Sequence, residues 1–207
     1  MKKIPTVFVR DPNNRAHVLP EVHLDCQWVL DGEGVATRKY DGTCVGFFPV
    51  LKGDVRIHGS IGSSEVNEAG DLTGVWMARR EVKPGKTPPP GFIAEQTDET
   101  TGKTVGWEPI GQSSFAKFHA EALELLAEPY FGTYELCGPK INGNPEGFAG
   151  HTLTRHYTAA RLHDAPRTFE GLRDYLPYRR YEGIVWHHPD GRMAKLKARD
   201  FPLDGAS

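Results

Sequence analysis

The chain has 207 residues, 38% of them hydrophobic and 25% charged, which is enough for one full-sized core, and a single domain over residues 1–207 is expected. No run approaches the roughly 20 apolar residues of a membrane span, and the start, Met1-Lys2-Lys3-Ile4-Pro5, lacks the apolar stretch of a signal peptide, so no membrane partner is expected. The net charge of −2 excludes a globally basic polyanion binder, and any nucleic acid must be held by a local patch.

Cys26, Cys44 and Cys137 are an odd number of thiols at wide spacing, which suits reduced side chains better than a disulfide frame and points to a cytoplasmic protein. Abundant glycine and proline between β-branched runs predict many short strands and few helices. In chain order, Thr6–Val9, Gly34–Lys39 and Thr43–Phe48 read as strands, which places Lys39 at a strand end beside the Asp41-Gly42 turn. Residues 83–91 hold four prolines and two glycines and are expected to form an irregular surface loop, a candidate lid. A helix is expected after Ser113-Ser114, either of which can cap it, with Phe115, Phe118, Ala122, Leu125 and Leu126 on its apolar stripe before Pro129. A second runs from Thr168 to Leu176, burying Phe169, Leu172 and Leu176, with Pro177 limiting it.

The last segment reads as a hairpin of Gly183–His187 and Arg192–Lys197 joined through His188-Pro189-Asp190-Gly191. Alternation puts Lys195 and Lys197 on one face and Leu196 on the other, toward the core. Whether Glu182 shares the lysine face depends on the register and on a bulge at Gly191.

These residues suit attack by an amine on the innermost phosphorus of a nucleoside triphosphate. Lys39 is the candidate nucleophile, and an amine of ordinary pKa near ~10.4 needs cationic neighbours such as Lys195 and Lys197, or a metal ion, to become neutral. Magnesium would neutralise phosphate charge and takes oxygen ligands, for which Glu182 is the best candidate.

Four segments in this order, Lys39-Tyr40-Asp41-Gly42, Tyr134-Glu135-Leu136-Cys137-Gly138, Glu182-Gly183-Ile184-Val185 and Lys195-Leu196-Lys197, resemble the covalent nucleotidyltransferases, the superfamily of ATP-dependent DNA ligases, RNA ligases and mRNA capping enzymes. The closer resemblance is to small 5′–3′ RNA ligases with a vertebrate member. It rests also on Arg38, Thr43-Cys44, Asn142-Gly143-Asn144-Pro145 and Trp186-His187, and runs from about Arg38 to Phe201. The resemblance implies an α+β, ATP-grasp-like nucleotidyltransferase (adenylation) domain: antiparallel sheets around a nucleotide cleft, a few flanking helices, and no oligonucleotide-binding-fold domain, for which no room is left after Lys197. It implies that Lys39 becomes adenylylated, that Glu135 contacts the ribose, that Glu182 serves metal binding with Glu135 as a second candidate, and that Lys195 and Lys197 hold the α-phosphate. Arg38, Asp41 and Gly42 join the nucleotide site by the same carry-over. The phosphate-contacting arginine is Arg56, Arg79 or Arg80, with Arg79 favoured, and the base-stacking position falls to Tyr157 or His156.

The implied function is an ATP-dependent RNA ligase with magnesium or manganese, joining 5′-phosphate and 3′-hydroxyl RNA ends through lysyl-AMP and an adenylylated RNA end, with no obligate protein partner. A DNA ligase core, a GTP-using capping enzyme, or a catalytically silent nucleotide- or RNA-binding module are the alternatives. The plain structural readings are a hairpin turn at Asp41-Gly42, the exposed side of a strand for Glu135, and a cross-strand ion pair for Glu182 with the lysines. His151, His156, His163 and His187-His188 match no zinc spacing, and Trp76, Trp107 and Trp186 read as core, Trp186 being the one best placed to line a cleft.

Overall fold

The structure, a computed structural model, describes residues 3–51, 53–57 and 73–201; the Met1-Lys2 start lies outside them. The chain divides into two compact units, one of Gly42–Thr158 with Lys3, the other of Ile4–Asp41 and the segment from Ala159 onward. Both are built on antiparallel sheet, and among the described residues no helix is long and apolar enough to cross a membrane.

The second unit centres on three strands, β3 (Val35–Lys39), β11 (Gly183–His187) and β12 (Met193–Lys197), with β11 in the middle. Gly191 closes the expected hairpin in a left-handed conformation (φ 91°), with its N–H donating to His188 O at 3.0 Å. A type I turn followed by such a residue gives the strands their twist. Both outer edges are covered. Val7 N donates to Lys195 O at 3.0 Å, running parallel to β12, and Arg38 N donates to Ala160 O at 2.8 Å beside β3. One face of the sheet is apolar: Ala36, Ile184, Trp186, Ala194 and Leu196 are buried with Phe8, Leu176, Trp28 and Val29 of the short helix α1 (Gln27–Leu30), and Leu172 of a later helix. That helix, α3 (Phe169–Tyr175), starts where expected, the Thr168 hydroxyl accepting from Gly171 N at 3.1 Å. Trp186 is core and lines no cleft, being fully buried.

The first strand differs from expectation. β1 is Phe8–Arg10, paired with β2 (Val18–Val22), whereas Thr6 only bridges β12. The chain leaves one sheet for another between these points, so consecutive Val7 and Phe8 are both buried, which simple alternation does not allow.

The first unit is a seven-stranded antiparallel sheet. Its path is β10 (Thr152–Arg155), β9 (Gly132–Cys137), β4 (Thr43–Leu51), β6 (Thr73–Val82), β8 (Thr104–Pro109) and β7 (Ile93–Thr97), with β5 (Asp54–Val55) added beside β4. Alternation divides its side chains. Val45, Trp76, Ala78, Tyr134 and Leu136 pack on one face with the helix α2 (Ala116–Leu123), while Phe48, Met77 and Trp107 form a smaller cluster on the other. α2 is shorter than expected. Phe115, Phe118, Ala122 and Leu126 pack on this core as expected, but Leu125 is 77% exposed, and the Ser113 hydroxyl accepts from Phe115 N in the turn before the helix. Residues 83–91 are irregular and largely exposed, as their prolines require.

β3 and β4 belong to different sheets. Tyr40-Asp41-Gly42 is therefore a crossing between units, and the plain reading of Asp41-Gly42 as a hairpin turn is excluded.

Candidate active site

Three lysines share one face of the three-stranded sheet. Gly183 stands opposite Lys39 on one side and Lys197 on the other, and Val185 likewise stands between Thr37 and Lys195. Residues directly opposite project to the same side, so Lys39, Lys195 and Lys197 point away from the Ile184–Leu196 core. Gly183 places no side chain between Lys39 and Lys197. A Cβ there would lie 2.1 Å from Leu196 O and 2.7 Å from Lys197 Cα, both backbone atoms. Gly183→Ala is expected to push β12 away and lower stability by roughly 3 kcal/mol, read as a drop in the denaturation midpoint.

Glu182 sits in a bend just before β11, outside the strict alternation of the strand. Its nearly buried carboxylate takes the Lys39 ammonium on Oε2 and the Lys197 ammonium on Oε1, with Arg199 Nη2 3.8 Å from Oε1. Lys39 Nζ also lies 3.4 Å from Tyr40 O. Burial alone would raise the Glu182 carboxyl, but the Lys39 and Lys197 charges outweigh it and hold it below the usual carboxylate range. Lys195 is pushed down to about 8, first by burial and then by the charges of Lys197 and Lys39, while Glu182 and Asp200 oppose the fall.

Asp200 is a supporting residue that reading for motifs passed over. Its Oδ2 accepts from Lys197 N at 2.8 Å and its Oδ1 pairs with Arg10 Nη2 at 2.9 Å, with the carboxylate almost fully buried. This fixes the end of β12. A local signal existed, since an acidic residue three positions after a strand end is half of a capping box.

In the other unit, Glu135 is nearly buried on β9 and is not the exposed side of a strand. Its Oε1 accepts from Gly42 N at 3.2 Å and its Oε2 meets His156 Nε2 at 2.9 Å, while His156 Nδ1 meets the Thr133 hydroxyl at 2.8 Å. His156 thus bridges the Thr133 hydroxyl and the Glu135 carboxylate and orients the latter. Gly42 is needed for this contact, because a Cβ would lie 2.3 Å from Leu136 O. Asn142 holds the same turn by donating to Gly42 O at 2.7 Å, from a loop in which Lys140, Asn142 and Asn144 all have positive φ.

Cys44 lies opposite Glu135, and Val45 opposite Ala78, so Glu135, Cys44 and Arg79 share a sheet face. Arg79 pairs with the buried Glu95, lies 5.4 Å from the Trp107 ring, and has its proton affinity lowered by burial. Trp107 Nε1 donates to the same Glu95 oxygen at 3.1 Å, and the register shift between Ala94 and Gln96 brackets Glu95. An anion at Arg79 must share it with Glu95. Arg80 lies 3.6 Å from Glu108.

Arg38 and Tyr157, also expected at the nucleotide, fall on the faces opposite to those of Lys39 and of Glu135, respectively. Arg38 falls on the core-side face of β3, opposite Ile184, and its guanidinium lies over Tyr40 at 4.6 Å and Tyr181 at 5.6 Å. Tyr157 stacks on Arg155, which stands opposite Tyr134 and hence on the sheet face away from Glu135. Asp41 and Gly42 lie at the crossing, Asp41 ending one unit and Gly42 opening the other. Among the described residues no three His, Cys, Asp or Glu side chains gather as a metal-ligand set.

No family model matches the chain. Among curated proteins it is similar to RNA ligase 1 of Rattus norvegicus, with 26% identity over 266 aligned positions that take in 94% of this chain and 79% of the rat protein. The likeness thus extends through both units.

Proposed function

We propose that the chain is an ATP-dependent RNA ligase of the covalent nucleotidyltransferase type, its sheets forming an ATP-grasp-like adenylation domain. The observation that supports this best is the meeting of Lys39 and Lys197 on one nearly buried carboxylate, with Lys195 on the same strand face. A plain cross-strand ion pair does not require a third lysine whose charge burial disfavours.

Lys39 Nζ, after giving up a proton, attacks the α-phosphorus of ATP; the N–P bond forms as the P–O bond to pyrophosphate breaks. Lys195 and Lys197 neutralise the charge gathering on the α-phosphate oxygens. An RNA 5′-phosphate oxygen then attacks the same phosphorus and releases Lys39, and a 3′-hydroxyl attacks the activated 5′-phosphate as AMP leaves. Glu182 orients the Lys39 amine. Both Glu182 oxygens are taken by Lys39 and Lys197, so Glu182 could hold magnesium or manganese only in place of one of these lysines, as when Lys39 turns to the phosphorus; water and phosphate oxygens would complete such an ion, which would supply neutralising charge. The Glu135 oxygens are already engaged by Gly42 and His156, which suits holding a ribose hydroxyl better than holding a metal.

The test is incubation with magnesium and ATP labelled at the α-phosphate. Label is expected to stay on the denatured chain in alkali and to leave in acid, as a phosphorus–nitrogen bond requires, and to pass to 5′-phosphorylated RNA when that is added. A chain that binds ATP but never retains label would be a silent binding module.

A further inference from the structure

The strands β9 and β10 end in a cluster that the adenylation chemistry does not use. Arg155, the last residue of β10, places its guanidinium 4.9 Å from the Tyr130 ring and 5.2 Å from the Tyr157 ring. Tyr157 is 88% exposed, Tyr130 54% and Phe131 38%. Single exposed aromatics are ordinary, but three beside a guanidinium make a continuous π and cationic surface.

This surface is held in place from beneath. The buried Tyr134 hydroxyl donates to Tyr130 O at 2.7 Å and accepts from Tyr130 N at 2.9 Å, so both of its hydrogen-bonding roles go to fixing one backbone position. Phe131 stacks on Phe47 with centroids 5.1 Å apart, and Phe47 lies against Trp76, which ties the cluster to the core. Arg155 Nη2 donates to Phe131 O at 3.3 Å, while its Nε is buried without an acceptor. The Tyr130 hydroxyl donates to Glu128 at 3.3 Å, the one acidic side chain in these contacts.

We infer that Tyr130, Phe131, Arg155 and Tyr157 form a platform for single-stranded RNA, on which unpaired bases stack while Arg155 meets the backbone. This rests on the ligase reading and names where its RNA substrate is held. Flat rings flanking a planar cation offer π faces and positive charge without a set of base-edge donors, which is the chemistry of sequence-tolerant single-strand binding. The platform lies on the sheet face away from Glu135, so Tyr157 serves RNA and not the base of ATP.

The test uses fluorescence anisotropy with a dye-labelled single-stranded RNA and an abasic oligomer of the same length, on the full chain. Tyr130→Ala/Tyr157→Ala is expected to bind RNA at least about tenfold more weakly, with an unchanged melting curve and equal binding of the abasic probe. Tyr130→Phe/Tyr157→Phe keeps the π faces and should bind like the parent. Equal RNA affinity in the alanine variant overturns the platform, as it would if this surface served a protein, and so does equal loss in the phenylalanine variant. Covalent labelling from ATP is scored separately. Label with ring-independent RNA binding rejects the platform alone, whereas ring-dependent binding without label rejects the ligase reading alone.

Discussion

Lys39→Ala is expected to retain no covalent label from α-labelled ATP, and Lys39→Arg to behave the same way. Arginine keeps the charge beside Glu182 but does not lose its proton in a protein, so it cannot supply the lone pair that attacks phosphorus. Folding should persist in both variants, because Glu182 keeps Lys197 and has Arg199 nearby. The variant pair also decides between two amines. Lys195 has its proton affinity lowered, first by burial, and on that ground it is a rival nucleophile. Position argues against it. Its own N and O are tied to Pro5 O and Val7 N in mid-strand, whereas Lys39 ends β3 at the crossing between units. Peptide mapping should find AMP on Lys39; label on Lys195 in the parent chain, surviving in Lys39→Ala, would sink the assignment.

The contrast between these lysines shows what the sequence made legible. Alternation in 193–197 and the His188–Gly191 turn were enough to put Lys195 and Lys197 together with Leu196 buried, because both signals are local. The side taken by Glu182 was not legible. The deciding feature is a bend at Glu182 that frees its carboxylate from the strand's alternation, not the turn at Gly191. The partner of Arg79 was not legible either, because Glu95 lies 16 residues away and is brought in beside a strand irregularity. His156 and Tyr157 are neighbours in sequence yet serve opposite faces of the sheet, a split that depends on the pairing of β9 with β10. Helix α2 stops short for a similar reason: Leu125 continues the helical spacing but finds nothing to pack against.

Lys195→Met should abolish label transfer while making the chain more stable. In the parent, burial and two neighbouring ammonium groups disfavour the Lys195 charge, lowering its pKa from 10.5 to about 8. Expressed as free energy that is at most about 3 kcal/mol of strain in the folded state, reduced by the part of the side chain that water still reaches. A methionine of similar length removes it and keeps the packing, so a melting temperature several degrees higher is expected near pH 7. The sign of the pH dependence follows from the protons. Below about pH 8 the folded and unfolded chains both carry the Lys195 proton, and the cost is fully present. Between about pH 8 and 10.5 the folded amine is neutral while the unfolded one still binds a proton, so the parent gains stability as pH rises and the advantage of Lys195→Met shrinks. The charge that weakens the fold is the one required at the α-phosphate, and label formation by the parent should therefore fall above about pH 8, as Lys195 loses its proton. Normal labelling in Lys195→Met, or a melting temperature that drops at pH 7 and stays low at pH 10, would show that this lysine supports the sheet and does not serve the phosphate.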